Sequence, residues 1–214
     1  MYLPTQFRED DVPALHAAIR QIAFGSLVTL GADGLIASHV PMLIDPEPAP
    51  YGTLVGHVAR ANPQWRSPAP DVDALAMFVG PNTYVTPSWY ETKRETGKVV
   101  PTWNYVAIHA YGRVRFFEDA EPLLAVVTRL TESHEAKRAA PWAVSDAPDA
   151  FVRAQLKGIV GFTLPIARLE GKWKMSQNRN EADRAGVRGG LAREPSPANA
   201  AVAAVMTPRD PVGD

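Results

Sequence analysis

Between residues 24 and 90 the chain repeatedly builds short apolar runs and stops each of them with turn residues, leaving no room for helices between them. FGSLVTL is followed by GADG and then LIASHVPMLI, which reads as strand, glycine turn and strand. GTLVGHV (52–58) supplies a third strand, ALAMFVG (74–80) a fourth and NTYVTPSWY (82–90) a fifth, with Pro87 placing its end at an edge or bulge. A parallel α/β sheet needs a helix after nearly every strand, and this stretch has none. Antiparallel hairpins that close into a small barrel fit better, because closure removes exposed edges. The expected class is mainly β (α+β): a small antiparallel β-barrel with peripheral helices.

The helices fall around this block. DDVPALHAAIRQI (10–22) has an acidic start, an early proline and apolar Leu15, Ala18, Ile19 and Ile22 at helical spacing. EDAEPLLAVVTRLTESHEAK (118–137) is the clearest helix, acidic at its start and ending on Lys137. DAPDAFVRAQLKG (146–158) is a shorter one. ETKRETGKVV (91–100) reads as a polar loop. TWNYVAIHAYGRVRFF (102–117) is a long strand bending near Gly112, and GIVGFTLPIARLEGKWKM (158–175) returns to strand with Pro165 at a bulge. Beyond about Asn178 the chain is a tail in which LAREPSPANAAVAAVM resembles a weak helix. The expected division is a domain over 1–180 and a tail over 181–214. The chain has 20 prolines, most of them between apolar runs, as in DPEPAPYG and PRDPVGD, where fixed φ suits loops that must not extend a sheet.

Composition excludes several chemistries. With no cysteine there are no disulfides, thiolate nucleophiles or iron–sulfur clusters. Lys plus Arg number 22 against 23 Asp plus Glu, so no global field points to nucleic acid or membrane. Acidic residues near the start and the lack of a long apolar run point to a soluble cytoplasmic protein. The histidines are scattered without a zinc-protease pattern, and neither GxGxxG, a phosphate loop nor GxSxG occurs.

The most unusual stretch is GHVARANPQW (56–65). Asn62-Pro63 is a good helix start, whose first N–H groups suit an anion. Arg60 just before it offers a fork to a phosphate. His57 and Arg60 converge only if the chain turns at Ala59. A capped surface turn with a satisfied histidine and a solvated arginine explains the same residues. His39, in IASHVP, falls with Ala37 on the face opposite Ile36, Ser38 and Val40. Trp89 and Trp103 are core or interface residues, and their neighbours Ser88, Thr102 and Asn104 suit the edge of a heteroaromatic ring. GKWKMSQNRN (171–180) sets Lys172, Lys174 and Ser176 against Trp173, Met175 and Gln177, a basic face that fits either phosphate, nucleic acid or a solvated edge.

Taken in order, MYLPTQF, FGSLVT, IASHVP, GHVARANPQW, PNTYVTPSWYE, VPTWNYVAIHAYG, LKGIVGF and EGKWKMSQNR resemble the PaiB-type FMN-binding negative transcriptional regulators, over about residues 1 to 180. That family is similar to the pyridoxamine phosphate oxidase-like FMN-binding split barrels. The resemblance implies FMN in clefts between the subunits of a homodimer. It puts His39, His57, Arg60 and Asn62 near the phosphate and ribityl chain, Ser88, Trp89, Thr102 and Asn104 at the ring or dimer seam, and Lys172, Ser176 and Gln177 from the other subunit. Two functions follow from it: a negative transcriptional regulator or flavin sensor, with DNA as a partner through the basic 168–193 stretch, or an FMN-dependent oxidoreductase or flavin reductase. A scaffold without FMN, or one holding haem or another planar ligand, is a third reading.

Overall fold

The computed structural model describes residues 1–66 and 68–206. The PRDPVGD loop falls outside them. Along the chain run β1 (Arg8–Glu9), α1 (Val12–Ile22), β2 (Phe24–Gly31), β3 (Gly34–Asp45), β4 (Thr53–Ala59), β5 (Ala74–Val85), α2 (Glu91–Thr96), β6 (Thr102–Gly112), β7 (Arg115–Phe117), α3 (Ala120–Glu135), α4 (Asp149–Leu156), β8 (Ile159–Pro165), β9 (Arg168–Lys174), α5 (Glu181–Arg193) and α6 (Pro197–Met206). They form two compact units, the first from residues 1–10, 79–108 and 170–206, the second from 11–78 and 109–169.

The second unit carries strands in the order β5–β2–β3–β4–β8–β7. The β2–β3 hairpin is in continuous antiparallel register from Phe24↔Pro41 to Gly31↔Gly34, and β4 pairs with β8 from Thr53↔Pro165 to Ala59↔Ile159. Alternation places Leu27, Met42, Leu54, Phe78 and Phe162 in a dry interior. α1 starts where expected, because the Asp11 carboxylate accepts the Ala14 amide at 3.0 Å. α3 covers the other side of β4, where Val55 is buried with Val126 and Leu130.

The first unit carries the order β1–β9–β6–β5 with α2, α5 and α6. Four expectations change. The fourth and fifth expected strands are one, β5, which runs through Pro81, whose ring fixes φ at a value that extended backbone tolerates. The polar 91–100 stretch is a loop only in part: α2 forms because the Asp183 carboxylate accepts the Thr92 amide at 2.9 Å, a cap from 91 residues away. Gly97, at φ +68°, ends it. The Gly- and Arg-rich start of the tail is the helix α5, begun by Asn180, whose side chain accepts the Asp183 amide at 2.8 Å. The expected single strand over 158–175 is two, β8 and β9.

Candidate functional site

The GHVARANPQW stretch folds into a turn that is tied down from every side. Asn62 accepts the Gln64 amide at 2.9 Å, so the expected cap is present, and its amide group donates to the Ser38 hydroxyl at 2.7 Å. Gln64, 1% exposed, donates from Nε2 to the carbonyls of Leu27 (2.9 Å) and Ile36 (3.2 Å), pinning the turn to the β2–β3 hairpin. The Trp65 indole closes the turn by donating to the Arg60 carbonyl at 3.0 Å.

The guanidinium expected to hold a phosphate is already engaged. Arg60 donates to the Glu118 carboxylate and, through Nε, to the Lys157 carbonyl at 2.6 Å. Its charge is paired with Glu118, and protein acceptors take part of its fork. His57 does not converge with it on an anion. It turns to the face of β4 that lies under α3 and α4 and lines a cavity there. Burial holds its pKa below the ordinary 6.5. His39 lies on the exposed face of the β2–β3 hairpin, bonded to the Ser26 hydroxyl at 2.8 Å and tilted against Phe24. Around it that face is apolar and open: Phe24 is 59% and Leu35 77% exposed.

In the first unit the structure brings Asn104 and Ser176 together. The Ser176 hydroxyl donates to Asn104 Oδ1 at 3.1 Å, and both residues are buried. Asn104 also donates to the Met206 sulfur at 3.5 Å, so α6 closes over the pair. Ser176 sits at φ +64°, a strained position for a residue with a Cβ. Gln177 closes the same turn locally, accepting from the Met175 amide at 2.6 Å and donating to the Trp173 carbonyl at 2.5 Å. Lys172 is buried rather than on a solvated edge, donating to the Tyr2 carbonyl at 3.0 Å between the rings of Tyr2 and Tyr105. Ser88 accepts from Lys93 at 3.1 Å. Trp89 is core: its ring lies where a Cβ on Gly190 would come within 2.2 Å, and its Nε1 donates to Glu194 at 3.0 Å.

Around Thr102 and Trp103 the structure adds two residues that the expected site lacked, Lys174 and Tyr84. Lys174 donates to the Thr102 hydroxyl and, at 2.7 Å, to the Trp103 carbonyl. Its pKa is lowered by burial and by the nearby positive charges of Lys172 and Arg179. Beside it Trp103, 53% exposed, meets Tyr84, 46% exposed, edge to face at 6.2 Å. A crowded positive field next to an open aromatic pair and a hydroxyl suits an anionic, planar ligand. The alternation Lys172-x-Lys174 carried part of this signal. The partnership with Tyr84 did not show.

Residues 1–168 match the family model described as "Putative FMN-binding domain". The chain belongs to this family. It is 34% identical over 197 residues, 92% of each chain, to "Protease synthase and sporulation protein PAI 2" of Bacillus subtilis (strain 168). It is 35% identical over 249 residues to the uncharacterized protein AN0679 of Emericella nidulans, spanning 100% of this chain and 99% of that one. The FMN-binding domain family thus accounts for the whole β2–β8 region, while α5 and α6 lie beyond the matched residues. Two solved structures share the fold: the FAD and haem binding protein of Mycobacterium smegmatis (TM-score 0.58, 12% identity, 86% of this chain and 80% of that one) and the flavocytochrome Anf3 of Azotobacter vinelandii (TM-score 0.57, 11% identity, 84% and 75%). Among the described residues no helix is long and apolar enough to cross a membrane, and no group of three or more His, Asp or Glu is placed to hold a metal ion.

Proposed function

We propose that the chain binds FMN on a split barrel and works as a flavin-dependent oxidoreductase or flavin reductase. The match of residues 1–168 to an FMN-binding family carries this reading. The residues present fit the cofactor. Lys174, with Lys172 and Arg179 behind it, offers positive charge to a phosphate dianion. Thr102 offers a hydroxyl to a polar ring edge, and Trp103 and Tyr84 offer aromatic faces. FMN supplies the redox chemistry when bound, and the protein's part is to hold it and to decide what approaches. The names of the two fold neighbours, a flavocytochrome and a FAD and haem binding protein, refer to redox cofactors, in keeping with the oxidoreductase reading.

A homodimer belongs to the same proposal. The open face of β2 and β3, with Phe24, Leu30 and Leu35 exposed around the Ser26–His39 pair, is the surface a second copy would cover. His39 then sits at the seam.

The deciding experiment is titration of the purified protein with FMN, followed by anaerobic reduction with NADH or NADPH. Two flavin absorption bands near one equivalent per chain, FMN protection of Lys174 from amine acylation, and turnover on an added acceptor are expected. A colourless protein that ignores FMN overturns the cofactor. Bound flavin without turnover overturns the enzyme.

Negative regulation of transcription is the second reading, motivated by the resemblance to PaiB-type regulators. The basic stretch that would touch DNA is partly neutralised: Arg184 and Arg188 both pair with Glu181, and Lys172 is buried. Gel shifts on upstream and unrelated DNA at low and moderate salt test it, and equal or absent binding ends it.

A further inference from the structure

β4 is covered on both faces, but unevenly. Leu54 and Val58 are buried on one side, and on the other Val55 packs under Val126 and Leu130 of α3. His57 follows Val55 on that same side two residues later. Above it the helices leave space instead of side chains. A cavity of about 270 Å³ lies between α3, the 142–147 segment, α4 and the start of β8. Its walls include Val127, Trp142, Phe151, Val152 and Leu156, and none of its lining residues is a carboxylate, lysine or arginine. The His57 ring nitrogen Nδ1 is buried with no hydrogen-bond partner among the described residues. Trp142 and Phe151, both lining residues, remain 49% and 56% exposed.

We propose that this cavity is a binding site for a small, neutral, aromatic molecule that carries one hydroxyl or ring N–H and hydrogen-bonds to the His57 imidazole. A mostly apolar pocket with a few polar groups, here the His57 imidazole with Thr131 and Gln155 also in the lining, has the construction of a small-molecule site. The lack of charged lining residues selects a neutral guest, because an ion would lose its hydration without a counter-charge. Burial keeps the imidazole neutral, so it can accept from such a guest at ordinary pH. The volume corresponds to roughly nine water molecules at about 30 Å³ each. That is at the small end of ligand pockets and suits a single ring with its substituent. The two exposed aromatic rings gain contacts when a planar guest lies against them. The site rests on residues of one unit and does not depend on the FMN reading.

The test uses the full chain, with and without saturating FMN, and three probes: phenol, toluene as the shape control and benzoate as the charge control. Calorimetry measures affinity, and the emission of wild type compared with Trp142→Phe isolates the change at the cavity. Phenol is expected to bind at least tenfold more tightly than toluene or benzoate, to leave FMN in place and to perturb Trp142. His57→Phe should bring the phenol-to-toluene ratio close to one. Val152→Trp, which fills the cavity from a half-buried position, should abolish binding of both without touching the histidine. Phenol binding no better than toluene, a preference that survives His57→Phe, or binding undiminished by Val152→Trp would each overturn the site.

Discussion

The Arg60 guanidinium closes on the carboxylate of Glu118, while its backbone amide donates to the Gly158 carbonyl at 2.8 Å. One residue thereby ties the end of β4 to the segment before α3 and to the loop between α4 and β8. An arginine held this way acts as a strap, and a phosphate would have to compete with Glu118 for its fork.

Arg60→Ala is therefore expected to lower stability by about 1–2 kcal/mol, through lost bonds to two carbonyls and a partly exposed carboxylate. FMN and riboflavin affinities should change together. A selective loss of FMN, which alone carries the phosphate, would show that Arg60 exchanges Glu118 for the cofactor.

Gln64 is the most consequential residue of its motif for folding. Gln64→Leu keeps the volume but leaves the Leu27 and Ile36 carbonyls without their side-chain donor. A loss of about 2–3 kcal/mol of stability, read as a lower denaturant midpoint, is expected. An unchanged midpoint would mean that water replaces the amide at no cost.

Gly190 is required by close approach. A Cβ there would come within 2.2 Å of the Trp89 ring, and one on Gly186 within 2.0 Å of the Trp89 carbonyl oxygen. Gly190→Ala is expected to destabilise the chain by about 1–3 kcal/mol and to change near-ultraviolet circular dichroism from Trp89. Gly189→Ala, where the nearest atoms belong to the flexible Arg193 side chain, is the mild control.

His57 gives a pH signature with a definite sign. Burial lowers its folded pKa below 6.5, so between that lower value and 6.5 the unfolded chain binds more protons than the native one. Stability falls as pH drops through this window and levels off below it. The difference between wild type and His57→Phe, measured by urea melts from pH 7.5 to 4.5, should show that slope. A difference independent of pH would place the imidazole in contact with water.

The strand-rich middle, α1 and α3 were legible because their causes are local: alternation, turn glycines and acidic helix starts act within a few residues. The same holds for the Asn62 cap. The cap on α2 comes from Asp183, and the fork of Arg60 is met by Glu118, neither of which local pattern can pair. The sequence by itself determined that the chain makes antiparallel strands with helices around them, since side-chain period and turn chemistry leave little alternative. Only the tertiary structure decided which polar groups remain available. Arg60, Trp89 and Lys172 are claimed by neighbours distant in sequence, while Lys174 is left with an uneasy charge and His57 with an unpaired nitrogen. Hydrogen-bond partners are assigned by proximity in space, and proximity exists only once the chain has folded.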